Sequence, residues 1–234
     1  MNNKESQSFY LAIIGCDLYI DYFSSKDDNS NYQKKYLMPD TLDDNLNLSI
    51  LTKFILEKVK DFEKDVGNFV EKVNLITDAK YDLFSLSLKN KFNSNKIKDI
   101  DVVKLINDAK KLIIRNNKNC FILHILVDKY IVDGKEYFEL PENLYYNELI
   151  IDLSFITVQN SIIETLNRVL KDCNIEVKKI ISHQYSNRFA NKRDTSPCIA
   201  GKKVIEGINS SEVITRNDYS KKRGLFEKML NFFG

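Results

Sequence analysis

Two imidazoles, four thiols and a scatter of carboxylates are the side chains of this 234-residue chain that could act on a substrate. An imidazole can move a proton or hold a metal near neutral pH. His124 and His183, the only two, stand far apart in the chain. His124 sits inside the apolar run "ILHILV" and reads as a core histidine with a hydrogen-bond partner. His183 closes the last predicted strand and reads as exposed. Cys16, Cys120, Cys173 and Cys198 make no CxxC pair, so neither a zinc site nor a disulfide framework is expected, and all four read as core thiols. Asp133 precedes Gly134 and belongs to a turn. The other carboxylates are spaced as on solvated helix faces. The chain has no GxxxxGK[ST], GxGxxG or GxSxG motif. No catalytic, cofactor-binding or metal-binding residue is therefore expected, and the chain reads as something other than an enzyme.

The chemistry with a clear pattern is interfacial. The chain ends "KKRGLFEKMLNFFG", with Lys221, Lys222 and Arg223 ahead of Leu225, Phe226, Met229, Leu230, Phe232 and Phe233. At helical spacing the six apolar residues fall within an arc of about 160°, with Glu227, Lys228 and Asn231 outside it. Fourteen residues span about 20 Å as a helix, too short for a bilayer core of about 30 Å. Such a helix lies in the interface, apolar face down. Each cation near an anionic leaflet adds about 1 kcal/mol. Charge agrees with this. Residues 1–184 carry 25 Lys+Arg against 28 Asp+Glu, and residues 185–234 carry 10 against 5. A basic end on an acidic body with no basic stripe favours a membrane over nucleic acid.

The elements that must position these groups follow from periodicity. Phe9–Phe23 predicts a strand or hairpin, and 25–44, with Pro39, a loop. Leu48, Leu51, Ile55, Val59, Phe62 and Val66 predict a helix over about 47–66. "FVEKVNLIT" and "LFSLSLK" predict strands. Val102, Leu105, Ile106, Ala109, Leu112 and Ile113 predict a helix over about 99–116. "CFILHILV" predicts a central strand, "YIVDGKEYFEL" a hairpin turning at Asp133–Gly134, and "ELIIDLSFITV" another strand. A helix over about 159–172 and a strand at "IEVKKIISH" follow, the helix expected to cover the central strand together with 99–116. Residues 185–219 lack periodicity and predict a flexible linker. The order predicts an α+β fold, a mixed sheet covered by helices. No apolar run is long enough for a transmembrane helix, and the N-terminus makes a poor signal peptide, so a cytoplasmic body is expected.

"ILHILVDKYIVDG" resembles a strand of the FtsA family, actin-like proteins that tie the bacterial division ring to the membrane. In that family a strand reading roughly "LHxxPxxYxVDG" lies in an inserted subdomain, 1C. Leu123, His124, Tyr130, Val132, Asp133 and Gly134 fit, while Val127 or a neighbour replaces the proline. "IKDIDVVKLINDA" resembles the family's helix start through Asp101, Val102, Leu105 and Ala109. "LPENLYYNELIIDLSFIT" keeps Pro141, Leu149, Ile156 and Thr157 but neither glycine nor the methionine. "SIIETLNRVLKDCNIEVKKIISHQYS" resembles the return helix and strand. The resemblance covers about 45–186.

The resemblance implies a partial 1A-like segment at 1–66, a 1C-like subdomain at 67–157, a return to the 1A-like part at 158–184, a linker at 185–219 and an amphipathic membrane-targeting helix at 220–234. It puts the first phosphate motif at "LAIIGCDLYI", where Ile13 and Cys16 stand for the family's Asp and Thr around Gly15. An apolar side chain cannot coordinate Mg²⁺. The second phosphate motif and the adenosine half have no counterpart, so no ATP site is implied. What remains implied is a reduced FtsA-like division adaptor on the cytoplasmic face of the inner membrane, at the division site. It would meet other division proteins or itself through the 1C-like region and anionic lipid through the tail. Direct contact with FtsZ is not expected, because the subdomain for it is missing. The residues leave open a second reading, an interaction module of another actin-like assembly, PilM-like, whose tail binds a protein.

Overall fold

The computed structural model describes residues 7–24, 32–39, 48–96, 99–141 and 145–213. The fold is mixed α+β, with a five-stranded and a four-stranded sheet. The chain divides into two units: unit 1 is Met1–Lys80 with Ser161–Ile208, and unit 2 is Tyr81–Asn160 with Asn209–Gly234.

Unit 1 begins with β1 (Ser8–Ile14), β2 (Asp17–Phe23) and β3 (Tyr32–Leu37), continues with α1 (Leu48–Val66) and β4 (Lys72–Thr77), and resumes after unit 2 with α3 (Asn160–Asp172) and β9 (Glu176–Ser182). The strand order is β3-β2-β1-β4-β9, with β1, β4 and β9 parallel and β1–β2–β3 antiparallel. Alternation sends Phe9, Leu11, Leu18, Ile20, Val73 and Leu75 to one face, against Leu51, Ile55, Val59 and Phe62 of α1 and Leu166, Val169 and Leu170 of α3. The helix over 159–172 was expected over the strand at 120–127. It packs on this sheet instead, because it runs directly into β9, which joins β4. The helix ends on Asn174 at φ 61, with Ile175 N donating to Leu170 O at 2.9 Å, a left-handed stop. Two strand expectations also change. Tyr32–Leu37 lies inside the predicted loop 25–44 as an edge strand whose polar residues hide its pattern. β4 belongs to unit 1 and not to the 1C-like part, since both its neighbours are parallel strands of this sheet.

The predicted linker is corrected more strongly. His183–Ser186 forms one helical turn (α4), Asn187–Phe189 a 3-10 turn, and Pro197–Ile205 a helix (α5). Ser196 caps α5, its Oγ accepting from Cys198 N at 3.2 Å, with Pro197 in the first turn. Cys198, Ile199, Ala200, Gly201, Lys202 and Val204 are all buried. A nine-residue helix buried nearly all round has no polar stripe, so periodicity could not reveal it. Gly201 permits the contact: a Cβ there would come within 2.7 Å of Ile76 Cγ1.

Unit 2 comprises β5 (Asp82–Lys96), α2 (Asp99–Asn116), β6 (Cys120–Val132), β7 (Lys135–Tyr137) and β8 (Tyr145–Gln159). The order is β5-β8-β6-β7, all antiparallel. The strand expected to be central, Cys120–Val127, has β8 on one side only, because the short β7 flanks β6 at Tyr130–Val132. Val102, Leu105, Ile106, Ala109 and Ile113 of α2 pack on Ile125, Val127, Tyr130, Leu149, Ile151, Leu153 and Phe155. On the opposite face Ser87 Oγ donates to Asp152 at 2.6 Å, Ser154 Oγ to Asp128 at 2.7 Å, and Lys129 pairs with Glu136. The α2 face is dry, and the other carries these solvated pairs toward β7 but buries His124, Ile156 and Val158 at its far end. Asp133 (φ 47) and Gly134 (φ 82) make the predicted turn, and the Asp133 carboxylate accepts from Asn147 N and Glu148 N at 3.0 and 2.8 Å.

Candidate functional site

The turn that the resemblance assigns to phosphate is already in use. Gly15 (φ 53) and Cys16 join β1 to β2. Gly15 N donates to Asp78 Oδ2 at 2.6 Å, and Cys16 O accepts from Met38 N at 2.7 Å. Asp78 follows β4, so the parallel strand beside β1 delivers a carboxylate to the backbone amide that a phosphate oxygen would need. A phosphate placed about 4 Å from that carboxylate meets roughly 1–4 kcal/mol of repulsion, depending on exposure. Cys16 is exposed, contrary to the core reading, because it occupies the turn. His183, expected exposed, is partly buried, with Nδ1 enclosed and no hydrogen-bond partner. Burial holds its pKa below the usual imidazole value, opposed by the Asp78 carboxylate. It lies at the start of α4, where the chain bends over the end of β9.

A second polar group lies under α5. Asp21 is fully buried on the face of the first sheet away from α1. Ser196 Oγ donates to Asp21 Oδ1 at 3.0 Å, and the Cys198 thiol also interacts with the carboxyl. Burial pushes the Asp21 carboxyl up to about 7. The same burial raises Cys198 well above the ordinary thiol range, which makes it a poor nucleophile. Tyr10 and Asn74 hydrogen-bond nearby, and Lys202 lies over the Phe23 ring and pairs with Glu206 at 2.7 Å. This group joins helix to sheet. Among the described residues no three His, Cys, Asp or Glu side chains are placed to hold a metal ion.

Unit 2 offers strand edges. β5 is the outer strand, and no neighbour pairs with its far edge among the described residues. β7 covers β6 only from Tyr130 to Val132. Beyond β7 the edge of β6 receives the chain that follows α5: Val127 N donates to Ser211 O at 2.8 Å and Val213 N to Ile125 O at 2.9 Å. His124 is buried, as expected, and its Nδ1 stands 2.7 Å from Glu212 Oε1. Sequence reasoning missed Glu212, because its distance along the chain from His124 hides the pairing. The nine tail residues from Lys221 to Phe233 assigned to lipid lie outside the described residues. No described helix is long and apolar enough to cross a membrane.

No family model matches the chain, and no curated protein matches it. Solved structures similar to it include a PilM-PilN type IV pilus biogenesis complex, at 8% identity and TM-score 0.48, with 79% of this chain and 50% of that one covered. Another is the cytoplasmic domain of EpsL, an inner membrane component of the type II secretion system of Vibrio cholerae, at 13% identity and TM-score 0.34, covering 77% and 57%. A third is a Marinitoga piezophila Argonaute in complex with 5′ OH guide RNA, at 16% identity and TM-score 0.22, covering 69% and 26%. This chain thus spans about half the length of the first two.

Proposed function

We propose that this chain is a non-enzymatic adaptor of an actin-like membrane-assembly system, and more finely a reduced FtsA-like division protein. The observation that carries the reading is the insertion of unit 2 between β4 and α3 of unit 1. This is the order a 1A-like body with an inserted 1C-like subdomain requires. The FtsA-specific part rests on the quoted motifs in β6, α2 and β8. The Gly15–Asp78 contact supports a role without ATP. Unit 2 acts on protein partners or on another copy, and the C-terminal amphipathic segment acts on anionic lipid at the inner membrane.

The second reading is the PilM-like one, in which the tail holds a protein. Among the described residues no strand pairs with the far edge of β5, which favours a protein partner at unit 2, since such an edge accepts an added strand. Co-sedimentation with anionic vesicles separates the two. Phe226→Asp with Leu230→Asp should release the protein from vesicles while leaving its urea midpoint unchanged, because a carboxylate is strongly disfavoured in the acyl boundary. Replacing Lys221, Lys222 and Arg223 by Gln should weaken binding less, as should high salt. Wild-type protein left in the supernatant favours the protein-binding tail. Division-site location of the tagged chain in dividing cells tests the finer claim.

A further inference from the structure

We propose that Asn209–Val213 clamps the root of the C-terminal segment onto β6, so that unit 2 is the part of the protein carried at the surface the tail binds. The membrane half of this rests on the lipid-binding reading above.

Three observations carry it. The segment is aimed by a local turn: Ser211 N donates to Asn209 Oδ1 at 3.0 Å and Glu212 N to Asn209 O at 3.1 Å. It then adds to the β6 edge through the Val127–Ser211 and Val213–Ile125 backbone bonds, with Leu126 and Glu212 facing each other antiparallel. Finally, alternation splits its side chains. Val213 packs against the core of unit 2, and Glu212 reaches His124 on the other face, where the two side chains are 3% and 10% exposed. An exposed loop crossing a sheet by chance would not bury a carboxylate on a histidine, since leaving either partner alone inside is costly. His124 and Glu212 are positioning residues. From Val213 to Lys221 the chain can reach at most about 28 Å. The described part of the expected linker, 185–213, is folded and paired instead of free, and the tail's root belongs to unit 2.

The test uses the full chain with Cys16→Ser and Cys120→Ser, a donor dye on Lys135→Cys in unit 2, and vesicles of anionic lipid carrying an acceptor. Hydrogen exchange reads the clamp without lipid. The Val127 and Val213 amides should be protected, and Glu212→Ala, or separately Val213→Pro, should lower protection of Val127 by about tenfold or more. On vesicles, both variants should pellet like wild type but transfer less energy, because the freed tail is then held through Ile208 of unit 1 by a chain that reaches about 45 Å, and no longer from unit 2 itself. Unprotected amides in the wild type would overturn the clamp. Lost protection with unchanged transfer would overturn the claim that it places unit 2. Failure of the wild type to pellet, with both amides protected, sinks the membrane half along with the lipid reading and leaves the clamp standing.

Discussion

Replacing Asp21 by Asn should make the protein more stable at pH 8 and remove a pH dependence that the wild type shows. The carboxyl is fully buried between β2 and α5, with one oxygen held by Ser196 and the other lacking a hydrogen-bond partner of good geometry. Burial raises its pKa from 3.8 to about 7, so the folded state binds the proton more tightly than the unfolded chain does. The stabilisation is fully present below the unfolded value, declines as pH rises from about 4, and is lost above about 7. About three units correspond to roughly 4 kcal/mol, an upper figure because local release of α5 relieves part of it. An amide stays neutral throughout, at a cost of about 1–2 kcal/mol if its NH₂ finds no acceptor. The difference in unfolding free energy, variant minus wild type, should therefore climb by about 2–4 kcal/mol between pH 4.5 and 8. Urea curves of both proteins at four pH values measure it, and groups common to both cancel. A flat difference, or one that falls with pH, would refute the reasoning and mean that Lys202 or another cation holds Asp21 as an anion.

Three further outcomes are expected. Gly201→Ala places a Cβ 2.7 Å from Ile76 Cγ1 and should cost about 1–3 kcal/mol by urea unfolding, with the loss less than additive when combined with Ile76→Ala. Asp133→Ala removes the acceptor for the Asn147 and Glu148 amides and a residue suited to φ 47, and should lower stability by about 1–2 kcal/mol in the same assay. Calorimetry should detect no Mg-ATP binding; micromolar binding abolished by Gly15→Val would overturn the reading of the Asp78-occupied turn.

Long amphipathic elements were the legible part of this chain. α1 and α2 bury the stripes that their spacing dictates, and the Asp-Gly pair marks its turn because both positions need positive φ. α5 was not legible: its cue was the Ser196–Pro197 start, and its apolar residues surround the helix instead of lining one side. The unit boundaries depended on pairing partners far apart in sequence, so β4 was assigned to the wrong side and α3 to the wrong sheet. At the candidate sites, His124 was read correctly as buried and partnered. Neither Glu212 nor Asp78 could be foreseen, because each reaches its partner only after the chain has folded back.

Asp82 and Thr157 face each other as a rung between β5 and β8. Across such a rung the Cα atoms are about 5 Å apart, so the entry and exit of the inserted piece are neighbours. A piece whose two ends meet can be cut out and the gap bridged by a two-residue turn, as in grafting a domain into a host. Unit 1 would then keep all five strands of its sheet, and the excised piece, with 209–213 fused behind Gln159 through a short linker, would carry its own lock. A lineage could exchange the contiguous piece between β4 and α3 in one recombination event, provided that the newcomer's sheet also accepts the 209–213 strand that stays with the parent chain.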